Sequence, residues 1–346
     1  MKFGLFTHIP WPEEKDPKQV LDETTEEIVY AEELGFHSAW VAEHHFSRYG
    51  LGSSSLVFSA SVAAQTKKIR LGTAILIPPL HHPIKLAEDA ATLDLVSGGR
   101  FDAGFGRGTA GYEYAGYNID QGESQARFQE TINMVKGLWT TPGFSYKGQY
   151  FEAEDVNLVP PPLQKPHPPI YIAATRTPAT LDFVVSTGHP LIIGVVLDTV
   201  DAVDLCRTFA KMSHDAGFDV PISSIPFFRY FYVAETEEQA KKDTDAALKW
   251  TMDMNQWRRT FQHGSEVYQK MEDWRRERTE LPTSNEHLYN RRAIIGTSEQ
   301  CVDQIKELQS NGIEYFGCNF SFGGMEQGKL LRSMRLFADE VMPHFN

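Results

Sequence analysis

Apolar residues in this chain gather into short runs, and between the runs they recur at every third or fourth position. The first run, residues 2–6, leads into a segment over 17–34 with Val20, Ile28, Ala31 and Leu34 at helical spacing and Gly35 as a stop. Further runs at 37–42, 69–77, 100–105, 169–174, 191–197, 227–233 and 315–320 predict strands. Helices are predicted over 56–65, 83–95, 123–138, from 178 onward, and over 200–216, 236–250, 298–310 and 329–341. Residues 143–152 read as a small hairpin and the proline-rich 160–169 as a surface crossing. Eight strands, nearly all separated by helices, imply parallel pairing buried on both faces. They predict a (β/α)8 TIM barrel spanning 1–346 as a single domain, with an open doubly wound sheet as the alternative. Residues 251–292 break the alternation. Long, charged and aromatic, they read as an insertion between the seventh and eighth strands, a mobile lid over the barrel mouth.

Composition narrows the functional classes. With 33 Lys and Arg against 46 Asp and Glu, the formal charge is −13, a surface that repels nucleic acid and anionic lipid. No apolar stretch is long enough to span a bilayer, and the start lacks the pattern of a secretion signal, so a cytoplasmic protein is expected. Cys206, Cys301 and Cys318 are widely spaced with no CxxC pair, which argues against a disulfide framework or a cysteine-built metal site. No metal is expected.

Four stretches carry candidate chemistry. Gly106-Arg107-Gly108-Thr109-Ala110-Gly111 has the GxGxxG spacing, but Tyr112 to Asn118 read as continuing loop, and the place where a dinucleotide fold requires an acidic residue at the next strand end falls inside the helix predicted over 123–138. What survives is a glycine-rich loop at a strand's C-terminal end, the active face of a barrel, carrying one arginine. His44 and His45 are adjacent at a strand end and point to opposite sides. One would face the mouth and do chemistry while the other is tied into structure, unless both are structural. His81-His82-Pro83 at the next mouth position reads equally as a helix entry. In the 175–180 turn, Thr177 can cap a helix that Pro178 begins; Thr175, Arg176 and Thr180 beside free backbone N–H groups would suit a phosphate, though an ordinary cap would look alike. Arg107 and Arg176 at neighbouring strand ends tip the balance toward an anionic ligand group. GxSxG, P-loop and paired-carboxylate patterns are missing, so hydrolase, kinase and glycosidase readings lack support.

Taken in order, the opening Met1 to Phe6, Ala42-Glu43-His44-His45-Phe46, His82-Pro83, Gly98-Gly99-Arg100-Phe101, Gly104-Phe105-Gly106-Arg107-Gly108, Met334-Arg335-Leu336-Phe337 and Val341-Met342-Pro343 resemble the bacterial luciferase-like, flavin-dependent monooxygenases. The resemblance implies a barrel that takes reduced FMN (FMNH2) at its C-terminal mouth from a separate flavin reductase. Oxygen then adds at the flavin C4a, and the resulting peroxide oxygenates a small organic substrate. It implies that His44 moves a proton near the flavin and that Ala74-Ile75 forms a cis turn beneath the isoalloxazine. Arg107 with the 175–180 turn would hold the phosphate, and Trp250 would lie near the ring. Gly106 stands where luciferase has a reactive cysteine, Thr175 where it has a glutamate, Arg176 where it has a serine, and Gly194 where it has a pocket tryptophan. These departures point to a dark monooxygenase, expected as a homodimer. Deazaflavin F420 with hydride transfer on the same barrel is the second reading, and a non-catalytic flavin-binding subunit the third.

Overall fold

The computed structural model describes residues 1–175, 177–262, 265–277 and 285–345. The strands are β1 (Lys2–Thr7), β2 (Ser38–Val41), β3 (Arg70–Thr73), β4 (Phe101–Gly106), β5 (Phe144–Lys147), β6 (Glu152–Val156), β7 (Ile170–Ala173), β8 (Leu191–Ile192), β9 (Phe227–Val233), β10 (Ala293–Gly296) and β11 (Tyr315–Asn319). Nine of them form one sheet in the order β10-β9-β11-β1-β2-β3-β4-β7-β8, and β5 and β6 form an antiparallel hairpin apart from it. Every recorded pairing in the large sheet is parallel, with Gly4 opposite Ser38, Ser38 opposite Arg70 and Ala103 opposite Ile170. Helices such as Pro17–Glu33, Pro83–Val96 and Thr199–Asp215 connect successive strands, as parallel pairing demands.

The sheet curls. Its last strand, β11, lies beside its first, and an isolated parallel bridge between Ile193 and Phe227 links the end of β8 to the start of β9. Two hydrogen bonds make that seam: Ile193 N–H donates to Pro226 O at 2.9 Å and Phe228 N–H to Ile193 O at 2.8 Å. Inside, Trp40 is fully buried and donates from Nε1 to Ser38 Oγ at 2.9 Å and Tyr315 OH at 3.1 Å. Its ring occupies the space beside Gly72, where a Cβ would come within 2.1 Å of it. That packing, rather than backbone conformation, requires the glycine.

Several elements differ from the sequence expectations. The four-residue strand β10 was not anticipated, and the charged segment therefore lies between β9 and β10 rather than directly before the last strand. Its first residues are the end of a helix, Glu237–Trp257, that runs past the expected stop at 250 because Met254 and Trp257 are buried on it. Residues Gly111–Gly116, read as loop, form a short helix that buries Tyr112, Glu113 and Tyr114. The strand expected over 191–197 pairs only through Ile193 before the chain turns along the cavity wall. Part of the segment read as a lid, 263–264 and 278–284, lies outside the described residues. The rest is docked: Arg48 Nε donates to Val267 O at 3.2 Å and Met271 N–H to Glu13 Oε1 at 3.0 Å. Among the described residues no helix is long and apolar enough to cross a membrane, and no group of three His, Cys, Asp or Glu is placed to hold a metal ion.

Candidate active site

At the C-terminal ends of β1, β2, β4, β7 and β8 the curled sheet opens into a cavity of about 1140 Å3, part of it continuous with solvent. Its walls are largely apolar: Phe6, Ile75, Ile77, Ile192, Ile193, Val195, Leu197 and Phe228. Ala74 and Ile75 line it and are joined by a cis peptide bond. Gly106 faces Ile75 so closely that a Cβ there would lie 2.7 Å from Ile75 Cδ1. The opposite wall, residues 194–197, is held from behind by Arg229, which is fully buried on β9. Its Nη1 donates to Gly194 O at 3.2 Å and Phe228 O at 2.7 Å, and its Nε to Thr199 Oγ1 at 3.0 Å.

The paired histidines diverge. His44 lines the cavity, while His45 is buried outside it, with Nε2 at 2.8 Å from Glu43 Oε1 and Nδ1 at 3.2 Å from Tyr117 OH. Glu43 is shared, since His81 Nε2 approaches the same oxygen at 2.7 Å and Ile77 N–H donates to Oε2 at 3.1 Å. Burial alone would raise the Glu43 pKa, but the hydrogen bonds from His45 and His81 outweigh it and hold the carboxyl down to about 2. An ionised, fully enclosed carboxylate therefore ties the end of β2 to the turn after β3.

His44 has a different anchor. Its Nδ1 lies 3.2 Å from Glu113 Oε1, which also accepts the backbone N–H of His45 at 3.1 Å. This contact fixes the ring and leaves Nε2 without a hydrogen-bond partner among the described residues. Burial lowers the His44 pKa, Glu113 opposes that and Arg258 adds to it, so the net shift is downward and the imidazole is neutral near pH 7. His8 stacks on His44 at 5.8 Å between centroids, contacts Tyr49 OH through Nε2 at 3.1 Å, and is held neutral by its own burial. Glu113, His8, Tyr49 and Arg258 all line the cavity and none was singled out in the sequence. Glu113 sits between glycines 69 positions from His44, with no spacing to announce it.

The other end of the cavity is rich in donors. Arg107 lines it and spends one N–H on Ser124 Oγ at 3.1 Å. Thr175 and Thr177 line it too, and Thr177 makes no side-chain cap to the helix Pro178–Thr187, so its hydroxyl is left to the cavity. Thr180 also lines the cavity, but its hydroxyl donates to Gln125 Oε1 at 2.8 Å, and Gln125 Nε2 is buried with no partner among the described residues. Arg176 lies outside the described residues. Trp250 does not line the cavity. It sits on the helix Glu237–Trp257 and packs against a cluster of Tyr49, Tyr112, Met254, Trp257, Phe261 and Met271, of which Tyr49 lines the cavity. A slot with apolar walls and a donor-rich end fits a flat heterocycle bearing a phosphate.

Comparison with known proteins gives one family. The model for luciferase-like monooxygenases matches residues 1–315. The oxygenase component of the flavin-dependent trigonelline monooxygenase of Acinetobacter baylyi is 28% identical over 362 residues, covering 100% of this chain and 96% of that protein. An alkanal monooxygenase alpha chain of Photorhabdus luminescens is 24% identical, covering 99% and 97%. Among solved structures, the monooxygenase RslO1 of Streptomyces bottropensis superposes with a TM-score of 0.83 at 28% identity, covering both chains fully. The oxygenating constituent of 3,6-diketocamphane monooxygenase from Pseudomonas putida, solved with FMN, shares the fold with a TM-score of 0.80 at 18% identity over 99% of this chain and 98% of its own. The chain belongs to the luciferase-like monooxygenase family and is an enzyme of that family.

Proposed function

We propose that this chain is the oxygenase of a two-component system, built on a closed (β/α)8 barrel and acting on a small organic substrate with O2 and reduced FMN from a separate flavin reductase. The observation that carries the proposal is one cavity in which an apolar slot, a donor-rich end and an oriented neutral imidazole meet. The seam between Ile193 and Phe227 supports the closed barrel. When bound, the reduced flavin supplies the two electrons that activate O2, so that one oxygen atom enters the substrate and the other leaves as water.

The protein's part is binding, orientation and proton handling. Arg107, with the hydroxyls of Thr175 and Thr177 and the start of the helix Pro178–Thr187, would hold the phosphate by charge-assisted hydrogen bonds. Ala74, Ile75, Gly106 and Ile193 would flank the ring and exclude water from it. His44 Nε2 takes or returns the proton that oxygen transfer requires, while Glu113 fixes the ring through Nδ1. His45 stays in the frame with Glu43.

Titration of the wild type with FMN and riboflavin tests the phosphate end. A charged hydrogen bond contributes about 1.5–3 kcal/mol, so FMN should bind at least about tenfold more tightly than riboflavin, and Arg107→Ala should remove most of that difference. Equal affinities in the wild type would refute the assignment.

A further inference from the structure

A second, solvent-open cavity lies outside the first and shares Thr109, Ala110, Thr175, Arg258 and residues 195–197 with it. Arg258, from the short turn Arg258–Thr260 that ends the long helix, is the charged side chain common to both. Its guanidinium carbon lies 3.9 Å over the Tyr49 ring, which fixes it in place. Several basic groups nearby are paired within the protein, while Arg259, also on the outer cavity, is exposed and does not line the inner one. Arg292 reaches Asp198 at 2.7 Å, Arg291 reaches it at 3.5 Å, His287 at 3.0 Å, and Arg275 pairs with Asp253 at 2.6 Å. Among the described residues no carboxylate forms an ion pair with Arg258, and Glu113, the acid on its inner side, is engaged by His44 and His45.

A half-buried guanidinium in a chain of formal charge −13, facing a cavity and lacking a counterion, has an open place for an anion. Arg107 fills the corresponding role at the phosphate end, whereas Arg258 stands on the His44 side, at the junction with the outer cavity. The walls between are apolar: Ile77, Val195, Leu197 and Phe228. We infer that the substrates are small organic acids, an apolar body carrying one carboxylate, and that Arg258 holds the carboxylate while the body lies between those walls and His44. The inference rests on the flavin-monooxygenase reading for its chemistry, but binding can be measured without it.

The probes are matched acid and amide pairs: benzoate with benzamide, phenylacetate with phenylacetamide, hexanoate with hexanamide. Each is titrated calorimetrically into the full chain, with and without oxidised FMN. At least one acid should bind about tenfold or more tightly than its amide. Arg258→Met should erase that preference, Arg258→Lys should keep part of it, and FMN affinity should change less than twofold in both. Absence of discrimination in every pair overturns the inference, as does a preference that survives Arg258→Met or disappears in Arg107→Ala instead. Selective loss of reduced over oxidised FMN in Arg258→Met would also overturn it, by giving Arg258 to the flavin. Failure of FMN to bind at all would refute the flavin reading while leaving the acid titrations to stand by themselves.

Discussion

In the role proposed for it, His44 accepts the proton with the Nε2 lone pair, so the rate should follow its unprotonated fraction. Its pKa lies below the ordinary 6.5, because burial outweighs the contact with Glu113. The acid limb of the pH–rate profile should therefore fall below pH 6.5, with the rate still flat as pH drops through that value. Glu113→Gln removes the one influence that raises the pKa and should move the limb lower still. His44→Ala should cut product formation by roughly 10²–10⁴-fold with FMN affinity nearly unchanged. His45→Ala should instead lower the melting temperature, since it strips a buried hydrogen bond from Glu43. A stable but inactive His45→Ala protein would mean that the two roles are exchanged. Glu27, which lines neither cavity, offers a cleaner titration. Burial, reinforced by Glu23, raises its pKa from 4.5 to about 8, against the weaker pull of Lys15 and Ser321. The folded chain thus keeps a proton that the unfolded chain releases, and stability declines as pH rises from 4.5 toward about 8. Thermal melts of Glu27→Gln across that window should lose this slope and cross above the wild type at the alkaline end.

Among the elements, the sheet tolerates little change where strands and rings meet. A methyl group at Gly72 would enter the Trp40 indole, which is locked by Ser38 and Tyr315. Gly72→Ala should cost about 1–3 kcal/mol or more in urea denaturation, as overpacking of a rigid core does. The alternation of strands and helices was legible because parallel strands buried on both faces leave unbroken apolar runs. The strand β10 was not, since Ala293-Ile294-Ile295-Gly296 is only four residues long and follows a charged segment. A signal was present nonetheless: Thr297 and Gln300 form a capping box that marks a helix start directly after it. The helix Gly111–Gly116 left no such mark, because two glycines bound it and its burial comes from tertiary contacts such as Tyr112 OH with Ser47 Oγ at 3.0 Å. The donor-rich end of the cavity was readable for the opposite reason. Arg107 and the turn after β7 are local features of strand ends, whereas the partner of His44 and the cation over Tyr49 arrive from distant segments.

For the whole molecule, the charged segment between β9 and β10 is the part whose described residues reach both cavities. Phe261 and Met271 join the aromatic cluster above the mouth, Arg258 lines both cavities, and Glu13 and Arg48 hold the segment to the loops after β1 and β2. Replacing residues 265–277 with a short linker should leave the fold and FMN binding intact. Coupling should fall, seen as more hydrogen peroxide and less oxygenated product for each reduced flavin consumed. Wild-type coupling in that variant would remove the segment from any covering role.

The wall at 194–197 joins two properties that seldom coincide. Its backbone is clamped by the buried Arg229, while in front of it Gly194 faces space in which a Cβ would meet nothing within 4 Å. Side chains of very different size can be grafted there without disturbing a strand ladder, because β8 contributes only two residues and one bridge to the sheet. The shape of the chamber is thus separable from the stability of its frame. Selection, natural or in the laboratory, can remodel what the enzyme accepts through a single codon while His44, Arg107 and the curled sheet stay as they are.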